Sequence, residues 1–514
     1  MGLAGHPRPR NLAAIIPPLN AGIARSLTLW PRDRALGPVT EGTPREELWL
    51  AWNSSSLYLS VAWDEDRVEV DCDLLTPKVR HDWSALNPFL SLQLASHLMI
   101  LLLSASLILT GLVSDPFALK SGDQVAFYGD SITEQGHYTN LVEAAIATRF
   151  PSMKVRFVNL GWAGDTIYGT TGWEGAGGTP ETRIKRDLLP ENPTHIAVML
   201  GMNDGWYSPY KAEWAADFGR NYEGLINKIH RACPRAQLTL MRTSPWDDIT
   251  RPPSFPAGIK GEGGYNVVLR QYGEAVAQTA KKLGAGYVDQ NEPLVQALTF
   301  AKVENAELAQ KIIPDLIHPG PAGGLVMAQT LLRAWNFPTE LWSITLDAAT
   351  GRVVGQRGTT VIKFANGAWE QKDAGLPFPI DRTDPATALV ARLTHAGPAL
   401  GSMRLTVRGL PKPRYVLLIE TKAVGEFTAA ELAAGIDLAE RDTPMGARSL
   451  EVWRGTVAIN RLAFITWREV VRPFGNVPAG QSARKGLNDL QQSLTAHREA
   501  LAQRTTFRYR LEPL

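Results

Sequence analysis

The chain has 514 residues, of which 44% are hydrophobic and 20% charged, with a formal net charge of +2. This length exceeds one ordinary domain, and the composition is that of a globular protein rather than a fibrous or disordered one. The near-neutral balance, without a basic stripe carrying interleaved aromatics, argues against a nucleic-acid partner, and two distant cysteines, Cys72 and Cys233, offer neither a disulfide framework nor a zinc cluster.

Residues 1–40 are rich in Pro and Arg without periodicity and read as loosely ordered. From Glu47 to Trp63 two alternating apolar runs flank Asn53-Ser54-Ser55, which predicts a β-hairpin within a poorly defined N-terminal region, 1–96. The run from Trp83 to Ser114 carries no Asp, Glu, Lys or Arg, and its centre, 98–113, reads LMILLLSASLILTGLV. That is short for a membrane span and long enough for a signal-peptide core. Lys78, Arg80 and His81 precede it and favour an N-terminus-inside orientation. Residues 97–114 therefore read as a signal or membrane anchor. Export is expected (periplasmic, cell-surface or secreted), with 98–113 as the means of membrane attachment; a buried soluble helix is the alternative. Met99 is the one methionine between Met1 and Ser131, so 1–98 also fits an upstream extension.

From 122 to 338 strand and helix signals alternate. Strands are predicted at 125–128, 155–160, 195–200, 237–242 and 286–289, and helices at 138–150, 213–232, 265–283 and 321–335. Such alternation predicts an α/β fold, a parallel sheet covered by helices on both faces. Two Gly/Pro-rich loops, 169–180 and 245–264, interrupt it. Beyond Pro338, strands at 344–346, 360–364, 403–407 and 415–419 suggest a β-rich accessory region, 339–428, and helices at 429–438 and 487–502 suggest a helical tail, 429–514.

The reactive groups stand where strands end. Val125-Ala126-Phe127-Tyr128 breaks into Gly129-Asp130-Ser131, then into an amphipathic segment. Ser131 is thus in a strand-to-helix turn, where open α/β sheets present their chemistry. Helix capping alone explains Asp130, Ser131 and Thr133 equally well. Three further motifs shift that balance. Asn159-Leu160-Gly161-Trp162-Ala163-Gly164-Asp165-Thr166 ends one strand, and Gly164 would let a backbone N–H approach a ligand. Gly201-Met202-Asn203-Asp204 ends the next, with a side-chain amide donor at Asn203. Asp315-Leu316-Ile317-His318 precedes the last helix, and its spacing lets one turn set the carboxylate against one ring nitrogen while the other faces Ser131.

These four blocks, in this order, resemble those of the SGNH hydrolases, the GDSL-type esterases and lipases. The resemblance covers about 122–338, with Ile132 in place of the usual leucine of the first block. It implies a three-layer α/β/α, flavodoxin-like SGNH core. It further implies Ser131 as nucleophile, His318 as base and then acid, Asp315 as its orienter, and an oxyanion hole made by the N–H groups of Ser131 and Gly164 and the Asn203 side chain. No metal or other cofactor is implied.

Aromatics crowd the loops near the motifs: Trp162, Tyr168, Trp173, Trp206, Tyr207, Tyr210 and Trp246. Trp162, Trp206 and Tyr207 are the candidate substrate-binding residues, since flat rings with polar neighbours suit sugars. The expected function is a serine ester hydrolase working through an acyl-enzyme, removing short acyl groups such as acetyl from a small-molecule or polysaccharide ester. A lysophospholipase, thioesterase or acyltransferase would use the same triad. A cell-surface glycan-binding protein is the non-enzymatic alternative, disfavoured by the intact Ser131, Asn203, Asp315 and His318. The oligomeric state is not legible.

Overall fold

The computed structural model describes residues 46–52, 57–63, 68–73, 116–170, 177–251, 264–503 and 505–514. The chain divides into two units, Met1–Ser114 and Asp115–Leu514. In the first, β1 (Glu46–Trp52), β2 (Leu57–Trp63) and β3 (Val68–Asp73) form an antiparallel sheet in that order, with Trp52 opposite Leu57 where the alternation predicts a hairpin. The expected signal or anchor at 97–114 lies outside the described residues. Among the described residues no helix is long and apolar enough to cross a membrane.

The second unit opens with β4 (Gln124–Gly129), α1 (Ser131–Glu134), α2 (His137–Arg149), β5 (Arg156–Asn159), β6 (His195–Met199), α3 (Ala212–Ala232), β7 (Gln237–Arg242), α4 (Gly264–Leu283), β8 (Gly286–Asp289), α5 (Glu292–Glu304) and α6 (Pro321–Ala334). The strands form one parallel sheet in the order β5-β4-β6-β7-β8. β6 is buried throughout and β4 at every residue but its first. This is the continuous apolar run that a parallel strand covered on both faces requires. The order is flavodoxin-like, and its switch point lies between β4 and β6, whose carboxyl ends carry Ser131 and Asn203. Helix α5 escaped the sequence reading, which expected no element between 289 and 321.

The remainder folds as β9 (Glu340–Asp347), β10 (Arg352–Arg357), β11 (Thr359–Ala365), β12 (Ala368–Asp373), α7 (Pro385–Leu393), β13 (Ser402–Arg408), β14 (Arg414–Ile419), β15 (Lys422–Thr428), β16 (Ile436–Asp437), α8 (Pro444–Ile465), α9 (Pro478–Ala502) and β17 (Thr506–Pro513). Two sheets result, β10-β9-β13-β16 and β11-β12-β17-β14-β15. They share a core that includes Trp342, Leu405, Leu417, Phe507 and Tyr509. The region 339–428 is β-rich and also holds α7, which buries Ala386, Leu389 and Val390 in the core of the α/β domain. One expectation needs correction here. The helical tail ends in a strand, β17, set between β12 and β14. In it Phe507, Tyr509 and Leu511 point inward and alternate with exposed Arg508 and Arg510, a period-2 pattern that requires a strand. Helix α8 packs against α2 and α9. Asn460 on α8 donates to Asn140 Oδ1 and to Glu143 Oε2, each at 2.8 Å, which ties the C-terminal region to the helix behind the site.

Candidate active site

Asp130, in extended conformation, caps α1 by accepting from the Ile132 N–H at 3.0 Å. Capping and exposure of the serine are therefore parts of one turn. Ser131 is the first residue of α1, so its N–H is among those that no intrahelical bond satisfies. His318 Nε2 lies 2.7 Å from Ser131 Oγ, and His318 Nδ1 lies 2.6 Å from Asp315 Oδ2. The other carboxylate oxygen of Asp315 accepts from the N–H groups of His318 (2.7 Å) and Ile317 (3.0 Å). Partial burial disfavours the Asp315 anion, but the hydrogen bonds from His318 outweigh it and hold the carboxyl below the usual carboxylate range. An ionised Asp315 fixes the imidazole with Nδ1 protonated, which leaves Nε2 to accept the serine proton.

The turn after β5 forms the second wall. Gly161 packs so tightly on α1 that a Cβ would strike the Glu134 backbone, and Gly164 takes a φ of +73°, which favours glycine. Bonds within the protein pin this turn residue by residue. Gly161 N–H donates to Asn159 Oδ1, Trp162 N–H to the Gly129 carbonyl, Ala163 N–H to Glu134 Oε2 and Asp165 N–H to the Trp162 carbonyl. Below it, Arg183 is fully buried, bonds Asp165 and the Leu160 carbonyl, and reaches Asp187 at 3.2 Å. After β6, Asn203 Nδ2 donates to the Asp165 carbonyl at 2.9 Å and Asn203 Oδ1 accepts from the Tyr207 hydroxyl at 2.8 Å. The second hydrogen of that amide is left for a ligand oxygen.

Burial pushes the Asp130 carboxyl up to about 8 and that of Asp204 up to about 7, against the pull of backbone N–H groups on each. Burial also lowers the pKa of His137, and neighbouring His318 lowers it further.

The structure thus brings Ser131, Asp315, His318, Gly164 and Asn203 to one end of the sheet. The aromatic residues divide. Trp162 is fully buried, with the guanidinium groups of Arg186, Arg468 and Arg472 over its ring and Trp467 at its edge, and offers no face to a substrate. The sequence reading missed this because Trp467, Arg468 and Arg472 lie far along the chain. Trp246 is likewise buried, and Tyr207 is half-buried against Trp246 and Tyr265. Trp206 is 58% exposed, and its N–H bonds the Asn203 carbonyl. Tyr168 and Tyr210 are exposed, while Trp173 lies outside the described residues. Glu134, Arg183 and Arg468 were not anticipated. Glu134 alone had a local signal, its place one helical turn after Ser131. Among the described residues no group of three or more His, Cys, Asp or Glu could hold a metal ion.

Residues 127–324 match the model of the GDSL-like lipase/acylhydrolase family. An acetylxylan esterase of Geobacillus stearothermophilus is 24% identical over 239 residues, which span 43% of this chain and 96% of that protein. A crystal structure of an acetylxylan esterase from the same organism, a catalytic mutant, is 21% identical and covers 43% of this chain and 97% of its own, at a TM-score of 0.32. A gut microbial diltiazem-metabolizing enzyme is 22% identical and covers 78% of this chain and 99% of its own, at a TM-score of 0.64, so the fold is shared well beyond the α/β domain. The protein is therefore an ester-bond hydrolase. More particularly, the part that carries Ser131 and Asn203 lies within the segment similar to the GDSL-like lipase/acylhydrolase family.

Proposed function

We propose that this hydrolase removes short acyl groups, acetyl foremost, from carbohydrate esters through an acyl-serine intermediate. The relay from Asp315 through His318 to Ser131, with contacts of 2.6 and 2.7 Å, carries the reading. Ser131 Oγ attacks the ester carbonyl as its proton passes to His318 Nε2. The oxyanion that forms is met by the N–H groups of Ser131 and Gly164 and by Asn203 Nδ2. Collapse breaks the ester C–O bond, and His318 returns the proton to the leaving alkoxide. Water, deprotonated by the same imidazole, then attacks the acyl-serine and releases the acid.

Preference for an acetyl group on a sugar is supported by the acetylxylan esterase among the relatives and by the exposed Trp206 next to Asn203. An exported location, as the apolar run at 98–113 suggests, would bring the enzyme to such polymers. Hydrolysis of p-nitrophenyl esters from acetate to palmitate, followed by acetylated xylan, tests the proposal with Ser131→Ala as control. The expected result is serine-dependent turnover that falls steeply with chain length. A preference for long chains would overturn the acetyl assignment, and turnover equal in Ser131→Ala would overturn the mechanism.

A further inference from the structure

Helix α8 does not end at Ile465 but widens into a π-helical turn, Thr466–Val471, whose residues reach the turn that carries Gly164. Such turns recur at functional sites. Arg468 Nη2 bonds Glu134 Oε2 at 3.1 Å, and the two side chains are 12% and 19% exposed. The same Glu134 oxygen accepts the N–H of Ala163, the neighbour of Gly164, at 3.0 Å. The Arg468 guanidinium also lies 3.2 Å from the centre of the Trp162 ring, and Trp467 meets that ring edge-on at 5.8 Å. One cation therefore grips both Trp162 and the carboxylate that holds Ala163. Glu134 in turn closes α1, the helix that Ser131 begins.

We propose that Arg468 is a positioning residue of the esterase site, which fixes the Trp162–Ala163–Gly164 turn through Glu134 and so sets the distance between the Gly164 N–H and the oxyanion that forms on the substrate carbonyl when Ser131 attacks. The inference rests on the oxyanion-hole reading above. Donors to an oxyanion act by being in place before the charge forms, so their rigidity bears on kcat rather than on ground-state binding. A half-buried Glu134 left without its cation would be drawn toward water and would release Ala163. Simple attachment of the C-terminal region does not need this contact, since Asn460 and Arg498 already hold Glu143 on α2. Arg468 also lies outside the 127–324 segment that matches the family. This support for the catalytic turn is thus supplied by the C-terminal region.

The test is steady-state kinetics on p-nitrophenyl acetate with the full chain and with Arg468→Gln, Arg468→Lys, Glu134→Gln, the Glu134→Gln/Arg468→Gln double variant and Asn460→Ala. Thermal melts confirm that each is folded at the assay temperature. Arg468→Gln and Glu134→Gln should each lower kcat by about tenfold, less than loss of an oxyanion donor outright, with KM little changed. The double variant should be no worse than either single one, because both break one linkage. Arg468→Lys should recover part of the loss. Asn460→Ala, which cuts a neighbouring contact to α2, should lower the melting temperature and leave kcat unchanged. A folded Arg468→Gln with wild-type kcat, or additive losses in the double variant, would overturn the proposal. Should Arg468→Gln fail to fold, wild-type kcat in Glu134→Gln does the same. Wild-type activity in Ser131→Ala or Asn203→Ala would instead reject the underlying site assignment.

Discussion

The Tyr207 hydroxyl donates to Asn203 Oδ1 at 2.8 Å, and this bond fixes which way the Asn203 amide faces. With Oδ1 engaged and one Nδ2 hydrogen on the Asp165 carbonyl, the remaining N–H has a single direction. Tyr207 holds this position at a φ of +51°, next to Trp206 at +52°. Two consecutive bulky residues in the left-handed region carry strain that the packing of Tyr207 on Trp246 and Tyr265 must offset. Tyr207→Phe keeps the ring and removes the hydroxyl. It should lower kcat by roughly fivefold, the equivalent of one hydrogen bond worth about 1 kcal/mol, with KM nearly unchanged. Kinetics on p-nitrophenyl acetate check this, and a change confined to KM would point to direct substrate contact instead.

Asn203→Ala should cost more, because it removes the donor itself. A loss in kcat on the order of 10² is expected, with a small effect on KM. Equal losses in Asn203→Ala and Tyr207→Phe would mean that the hydroxyl is as necessary as the amide.

Arg183 is an ion-pair hub with no exposure, held by Asp165 and Asp187 beneath the catalytic turn. Arg183→Met preserves length, leaves the buried Asp165 without its cation and leaves Asp187 with Arg186 alone. It should destabilise the fold by about 3–5 kcal/mol, read by chemical denaturation. A neutral outcome would show that water reaches those carboxylates.

The accessory sheet contains a pH-sensitive group. Burial drives the Asp373 carboxyl up to about 7, against hydrogen bonds from Thr359 and Gln371. Between the ordinary aspartate value and that one, the folded chain keeps a proton that the unfolded chain has lost. Stability due to this group is therefore greatest at low pH and falls as pH rises toward 7. Asp373→Asn removes the effect, so its melting temperature relative to wild type should rise between pH 5 and pH 8. A constant difference across that range would refute the assignment.

What the sequence made legible was local. Gly129-Asp130-Ser131, Gly164 and Asn203 each follow a strand whose apolar run marks it, and the Asp315–His318 pair sits in one turn just before the last helix of the α/β domain. The five parallel strands were visible for the same reason. Arg468 was not, because it lies 334 residues from Glu134 and no local pattern links them. Distance from Trp467, Arg468 and Arg472 likewise hid the burial of Trp162, which in the sequence looks like a sugar platform. Helix α8 was missed because it packs against both α2 and α9, so its apolar residues do not form one stripe. β17 was passed over because the helix before it set the expectation, although its alternation of aromatic and arginine residues was in plain view.

The place of β17 bears on how the chain is made. It is inserted between β12 and β14, so the strands on either side of it are linked through it and not to one another. The α/β domain draws its sheet from residues synthesised early, whereas the five-stranded sheet must wait for 506–513 to leave the ribosome. Until then β12 and β14 each present an unpaired edge, the kind of surface that chaperones bind and that seeds misassociation. Expression conditions that slow folding should therefore tax the C-terminal half first, even though the chemistry resides in the other.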